Sequence, residues 1–124
     1  MSLNTRSLER RFSEIVADIE FVQMHTVGLS SAMLANNQLI LYAVERALGR
    51  ISEAATRLKG QGETLAPEQP WAQIRALGNR IRHEYDHLDS VVLWEIVETD
   101  LPSLKSSCER VLAQLQQGQP AKKS

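Results

Sequence analysis

The sequence predicts an all-α protein, most simply an antiparallel four-helix bundle with a short extra turn after the first helix. Three observations predict it. Apolar residues recur at steps of three and four through four separate stretches, as one buried helix face requires. No stretch alternates apolar and polar residues as a half-buried strand would. The last long stretch carries Val97, Leu101, Leu104, Cys108, Val111 and Leu115 in alternating steps of four and three, a bundle-type seam.

The elements follow in chain order. Residues 6–26 form the first helix, with Leu8, Phe12, Ile15, Ile19 and Val22 on its buried face and Arg10, Arg11, Glu14 and Asp18 on the wetter side. Thr26 to Ser31 holds Gly28 and two serines and breaks the helix; Ser30 or Ser31 caps a short turn through Leu34. Asn36 or Asn37 caps the second long helix, residues 37–59, whose buried stripe is Ile40, Val44, Ala47, Leu48, Ile51, Ala55 and Leu58. Its alanines make it narrow enough for close packing. Residues 60–69, GQGETLAPEQ, are the one linker, and Pro67 or Pro70 suits the next helix start. The third helix spans residues 68–86 and ends near Tyr85 to His87. Asp89 or Ser90 caps the fourth, residues 90–117, which Pro102 should kink, because proline removes a donor and clashes with the preceding turn. Gly118 stops it, and residues 118–124 are a solvated tail.

The chain has 124 residues and reads as one domain, residues 1–124. A net charge of -1 gives no global attraction to nucleic acid or membrane, so any nucleic-acid site is local. No apolar run reaches the length of a membrane span, and the N-terminus has no signal-peptide core. The single cysteine, Cys108, excludes an internal disulfide, suits a reducing cytoplasm, and reads as a small core residue.

The chemistry concentrates in the third helix, WAQIRALGNRIRHEY, residues 71–85. Trp71, Ile74, Leu77, Ile81 and Tyr85 mark its apolar face; Arg75, Asn79, Arg82 and Glu84 lie opposite. Gly78 sits mid-helix, where glycine costs about 1 kcal/mol against alanine. A close approach of another backbone, or of a ligand, would account for it. The unperturbed pKa of a histidine lies near neutrality, so His83 can act as a general acid or base. Asn79 and Arg80 precede it by four and three residues and neighbour it on the helix surface. An arginine beside a histidine suits phosphodiester cleavage, one holding phosphate charge and the other moving a proton. The bland reading is a histidine at a helix end with solvated arginines around it. Arg75 and Arg82 share a face and Arg80 is displaced from it. Glu95, Glu98 and Asp100 on the next helix read as a wet face, pairing with these arginines.

Residues 83–87, HEYDH, also spell H-E-x-x-H, a helical zinc-hydrolase pattern. A third ligand is missing: His25 lies far upstream and Glu109 sits within the seam helix. The expectation is no metal and no cofactor, and the zinc hydrolase ranks third among the functions considered.

Residues 41–58, LYAVERALGRISEAATRL, and 71–104, with the N-x-x-x-H-x-Y core and the closing D-L-P-x-L, resemble the HepT-like toxins of the HEPN superfamily. Those are small all-helical proteins of bacteria and archaea. The resemblance implies a homodimeric, metal-independent endoribonuclease acting on RNA, the toxin of a HepT/MntA-type toxin–antitoxin system. It implies a minimal nucleotidyltransferase antitoxin that attaches AMP to a tyrosine. By motif position His83 is the catalytic histidine, Asn79 the polar residue and Tyr85 the AMPylated tyrosine. The sequence departs from the family at one point. The motif arginine belongs five to seven residues before His83, where this chain has Gly78, Leu77 and Ala76. The nearest arginines are Arg80 and Arg75, either of which would act from a shifted position. A non-catalytic module that binds a nucleotidyltransferase is the alternative reading.

Overall fold

The computed structural model describes residues 3–83 and 89–118; the side chains of Arg82 and His83 fall outside that description. Every described element is helical. In order they are α1 (Thr5–Thr26), α2 (Ser31–Ala35), α3 (Gln38–Arg57), α4 (Gln61–Leu65), α5 (Trp71–His83), α6 (Ser90–Glu95), a π-helical turn (Ile96–Asp100) and α7 (Leu101–Gln117). The all-α helical bundle expected from the apolar periodicity is the fold observed.

Side-chain caps start four of the described helices, three of them at positions the sequence offered and one, Asn4, at a position it did not single out. Asn4 accepts from the Ser7 N–H at 2.8 Å, Ser30 from Met33 at 3.2 Å, Asn37 from Ile40 at 3.1 Å and Asp89 from Val91 at 2.8 Å. Each satisfies one of the amides that a helix N-terminus leaves unpaired. Ser30, Asn37 and Asp89 are therefore the caps among the paired alternatives.

The core lies where the four periodic stripes meet. All five apolar residues expected on α1 are buried, as are Val97, Leu101, Leu104, Cys108 and Val111. Leu41 is buried in the first turn of α3 while Ile40 is only partly covered, a shift of one residue from the expected stripe. Fully burying each such side chain contributes on the order of 1.5–3 kcal/mol. Arg50 bonds Asp18 at 3.1 Å and ties the middle of α3 to α1.

Two expectations need correction. Residues 60–69 are not an open linker, because α4 folds inside them. Gly60, at φ 88°, breaks α3 in the left-handed region, and the chain re-enters a helix at Gln61. Gly62 then lies flat against the Trp71 indole, which is 1% exposed. That indole donates to the Ala66 carbonyl at 2.8 Å and meets Phe12 of α1 edge-on, ring centres 6.2 Å apart. Pro70 supplies the carbonyl that opens α5, so the third long helix begins at Trp71 rather than at residue 68.

The disturbance expected at Pro102 takes the form of a widened turn before it, where the Leu101 N–H reaches the Ile96 carbonyl five residues back. Pro102 thereby falls in the first turn of α7, where its missing N–H costs nothing. The end expected for the third helix, at 84–86, and the tail beyond Gly118 lie outside the described residues.

The close approach expected at Gly78 occurs within the chain. Gly78 is buried against α3. Its N–H donates to the Ser52 hydroxyl at 3.0 Å, and that hydroxyl donates to the Arg75 carbonyl at 2.8 Å. A side-chain oxygen of α3 thus rests on the backbone of α5.

Replacing Gly62 by alanine tests how tightly the α4 turn is held. A Cβ there would lie 2.7 Å from the Trp71 ring, far inside van der Waals contact. Gly62→Ala should lower unfolding stability by about 1–3 kcal/mol, the usual cost of overpacking. Urea unfolding followed by tryptophan fluorescence measures it; an unchanged midpoint would show that the indole moves aside freely.

Candidate functional site

The α3–α5 contact organises the polar surface of α5. The C-terminal end of α3 and the N-terminal end of α5 lie together, joined through α4. Glu63 of α4 holds Arg75 with two hydrogen bonds, at 3.2 and 2.8 Å. Ser52 fixes the register, since it is level with Arg75 and Gly78. The two helices run antiparallel, so each step back along α3 matches a step onward along α5.

Beyond that contact the helices leave a groove of about 460 Å³. Gly78 and Ile81 of α5 line one side; Glu45, Arg46, Gly49, Arg50 and Glu53 of α3 line the other. The groove is open at Gly49, where a Cβ would meet nothing within 4 Å. The arginines around it differ in their commitments. Arg50 is held by Asp18 at 3.1 Å and Arg75 by Glu63 at 2.8 Å. The Arg75 hydrogen bond draws the Glu63 carboxyl below its usual range, and the same bond raises the Arg75 guanidinium. Both members of that pair are partly exposed, so it adds little to stability. Among the described residues Arg46 has no carboxylate partner, and it is exposed.

Arg80 lies elsewhere. It is five residues past Arg75, about 140° around the helix. It lines a second cavity, of about 610 Å³, between α5 and the α6–α7 segment. Leu77, Val92 and Leu101 give that cavity an apolar wall, and Glu95 and Asp100 share it with Arg80. Among the described residues, Arg80 forms none of the ion pairs expected between these acidic residues and the α5 arginines. Burial, then the charge of Glu95, pushes the Asp100 carboxyl above its usual range.

The sequence-derived site residues are therefore only partly assembled within the described region. Asn79 is exposed in the last turn but one of α5, and the backbone of His83 closes that helix. Tyr85, and the Glu84 and His87 of the zinc-hydrolase pattern, lie outside the described residues. Arg75 and Arg80 point to different cavities. Cys108 is buried, and burial pushes its thiol up to about 12, which keeps it protonated at neutral pH and unfit as a nucleophile. Among the described residues no helix is long and apolar enough to cross a membrane.

Two contributors escaped the sequence reading. Ser52 interrupts the apolar stripe of α3 between Leu48 and Ala55, and that interruption was the available signal. Arg46 gave none, since its place on a polar helix face is ordinary and only the packing of α5 makes it a groove residue.

Comparison with known proteins agrees with the resemblance. A family model described as "Ribonuclease HepT-like" matches residues 15–111. A Methanocaldococcus jannaschii protein named "Putative RNase MJ1380" is 38% identical over 109 residues, covering 88% of this chain and 100% of that protein. One from Thermococcus cleftensis, named "Probable ribonuclease HepT", is 30% identical over 106 residues, covering 86% of this chain and 96% of that protein. No solved structure matches the chain. With a family match across most of its length and relatives this similar end to end, the chain belongs to the HepT-like ribonuclease family.

Proposed function

We propose that this protein is the toxin component of a two-protein system and cleaves RNA phosphodiester bonds without a metal ion. The observation that carries the reading is the family match over residues 15–111, which includes Asn79 and His83 at motif spacing on one helix. In this reading His83 moves the proton, acting as general base or acid at the 2′-hydroxyl or the leaving oxygen. Asn79, one helical turn earlier, orients the phosphate. The cation comes from an arginine other than one at position 78, with Arg75 and Arg80 the candidates on α5. Cytoplasmic RNA is the substrate.

The protein works as a homodimer, and its partner is a minimal nucleotidyltransferase that attaches AMP to Tyr85. AMP there would place a bulky anion two residues from His83, crowding the site and repelling RNA phosphate. The motif-arginine position held by Gly78 favours one second reading, a module that binds the nucleotidyltransferase without cleaving RNA.

Three measurements test this. His83→Ala should lower cleavage by about a hundred- to ten-thousand-fold with helicity unchanged, and EDTA should leave wild-type cleavage intact. Cleavage untouched by the substitution would remove His83 from the chemistry, while strong nucleotidyltransferase binding with no cleavage of varied RNAs would favour the second reading. Incubation with the cognate nucleotidyltransferase, ATP and magnesium should add one AMP to the wild type and none to Tyr85→Phe by intact mass; equal labelling of both would place the modification elsewhere. Light scattering at micromolar concentration should give the mass of two chains, and the mass of one chain would refute the dimer.

A further inference from the structure

We propose that Arg46 of α3, rather than an arginine of α5, supplies the phosphate-binding cation that position 78 lacks. The inference rests on the ribonuclease reading above and deepens it. An arginine at position 78 would project from the α5 face that borders the α3–α5 groove, because Gly78 itself lines that groove. The groove holds a guanidinium from the facing helix instead.

Register places Arg46 at the correct height. Ser52 is level with Arg75 and Gly78, through its bonds of 2.8 and 3.0 Å. Arg46 is six residues back along α3, about 9 Å at the helical rise. In an antiparallel pair the same distance along α5 leads to residues 81–84. Arg46 and Ile81 do line one groove. The guanidinium therefore stands on the neighbouring helix beside the turn that His83 closes.

Charge accounting singles out the same residue. Arg50 and Arg75, the other arginines of the groove, are each held by a carboxylate. Withdrawing either for a phosphate would break an existing pair and leave an acid beside the incoming anion. Arg46 has no such partner among the described residues, so binding a phosphate costs it no ion pair. Its planar fork suits two phosphate oxygens at once. Arg80 faces a cavity lined also by Glu68, Glu95 and Asp100, where carboxylates outnumber guanidinium groups, whereas in the α3–α5 groove Arg46, Arg50 and Arg75 outnumber Glu45 and Glu53.

The experiment compares cleavage of a single-stranded RNA by the full-length wild type and by Arg46→Ala, Arg46→Lys, Arg75→Ala and Arg80→Ala. Arg10→Ala, on the outer face of α1, controls for lost surface charge. Arg46→Ala should lower kcat/KM by about a hundredfold or more. Its helicity and unfolding midpoint should not change, since an exposed, unpaired side chain contributes little to the fold. Arg46→Lys should recover part of the loss by keeping charge without the planar fork. Arg10→Ala should stay within about threefold of wild type. In parallel, binding of a 2′-O-methyl RNA, which cannot be cleaved through its 2′-oxygen, should show a salt dependence reduced by about 0.7 in log–log slope for Arg46→Ala, the loss of one phosphate contact.

Different outcomes separate the two levels of the argument. If wild type cleaves, His83→Ala does not, and Arg46→Ala matches wild type, Arg46 is not the cation and the ribonuclease reading stands. A larger loss in Arg75→Ala or Arg80→Ala than in Arg46→Ala assigns the cation to α5 and overturns the proposal. A wild type that cleaves no RNA defeats the ribonuclease reading, and the role of Arg46 goes with it.

Discussion

The seating of α5 on α3 is the contact on which the rest of the site depends. It needs a small residue on α5 at Gly78 and a short polar one on α3 at Ser52. The Ser52 hydroxyl is buried, and a buried hydroxyl is tolerated only when its hydrogen bonds are met. It meets them with one backbone N–H and one backbone carbonyl of α5. Hydrogen bonds to a backbone fix position along a helix more sharply than apolar contacts do, because the donors and acceptors recur at discrete heights. The register of the two helices, and with it the height of Arg46 relative to the end of α5, follows from that one side chain.

The same contact divides the arginines. One side of α5 borders the groove against α3, where Arg46 has no carboxylate partner among the described residues. Another borders the cavity against the α6–α7 segment, whose lining Arg80 shares with Glu95 and Asp100. The π-helical turn helps to shape that second cavity. By letting Pro102 enter α7 at its first turn, it keeps Ile96 to Leu101 along the cavity wall without a break in the helix. A phosphate arriving at α5 thus meets a groove with more guanidinium than carboxylate groups on one side, Arg46, Arg50 and Arg75 against Glu45 and Glu53, and a cavity richer in carboxylates on the other, and Coulomb attraction favours the first.

The missing arginine at position 78 takes a different meaning in this geometry. Glycine there allows the close approach that the Ser52 bonds require, and a longer side chain would have to leave past α3. A cation delivered from α3 lets the backbone contact and the phosphate site coexist. The chemistry would then be spread over two helices, with the proton-transfer group on α5 and the charge on α3.

Much of the fold was legible in the sequence. Steps of three and four located the buried face of α1 residue by residue and that of the last helical segment except at Leu115, which is only partly buried, because burial of an amphipathic helix depends on its own period. Asn, Ser and Asp before apolar runs located the helix starts, because capping is a local hydrogen bond. His83 and Asn79 were found through motif spacing, which is also local. The α4 turn was not legible, since Gly62 is buried only because Trp71 folds back over it from nine residues away. The π-helical turn was not legible either: sequence revealed that Pro102 would disturb the helix, but not which way the backbone would yield. Above all, the sorting of the arginines belonged to tertiary structure. Arg46, Arg50, Arg75 and Arg80 are equivalent as sequence, each a charge on a helix surface. Only the packing of α3 against α1 and α5 decides which of them meets a carboxylate, because ion pairing depends on distances of a few ångströms between helices far apart in the chain.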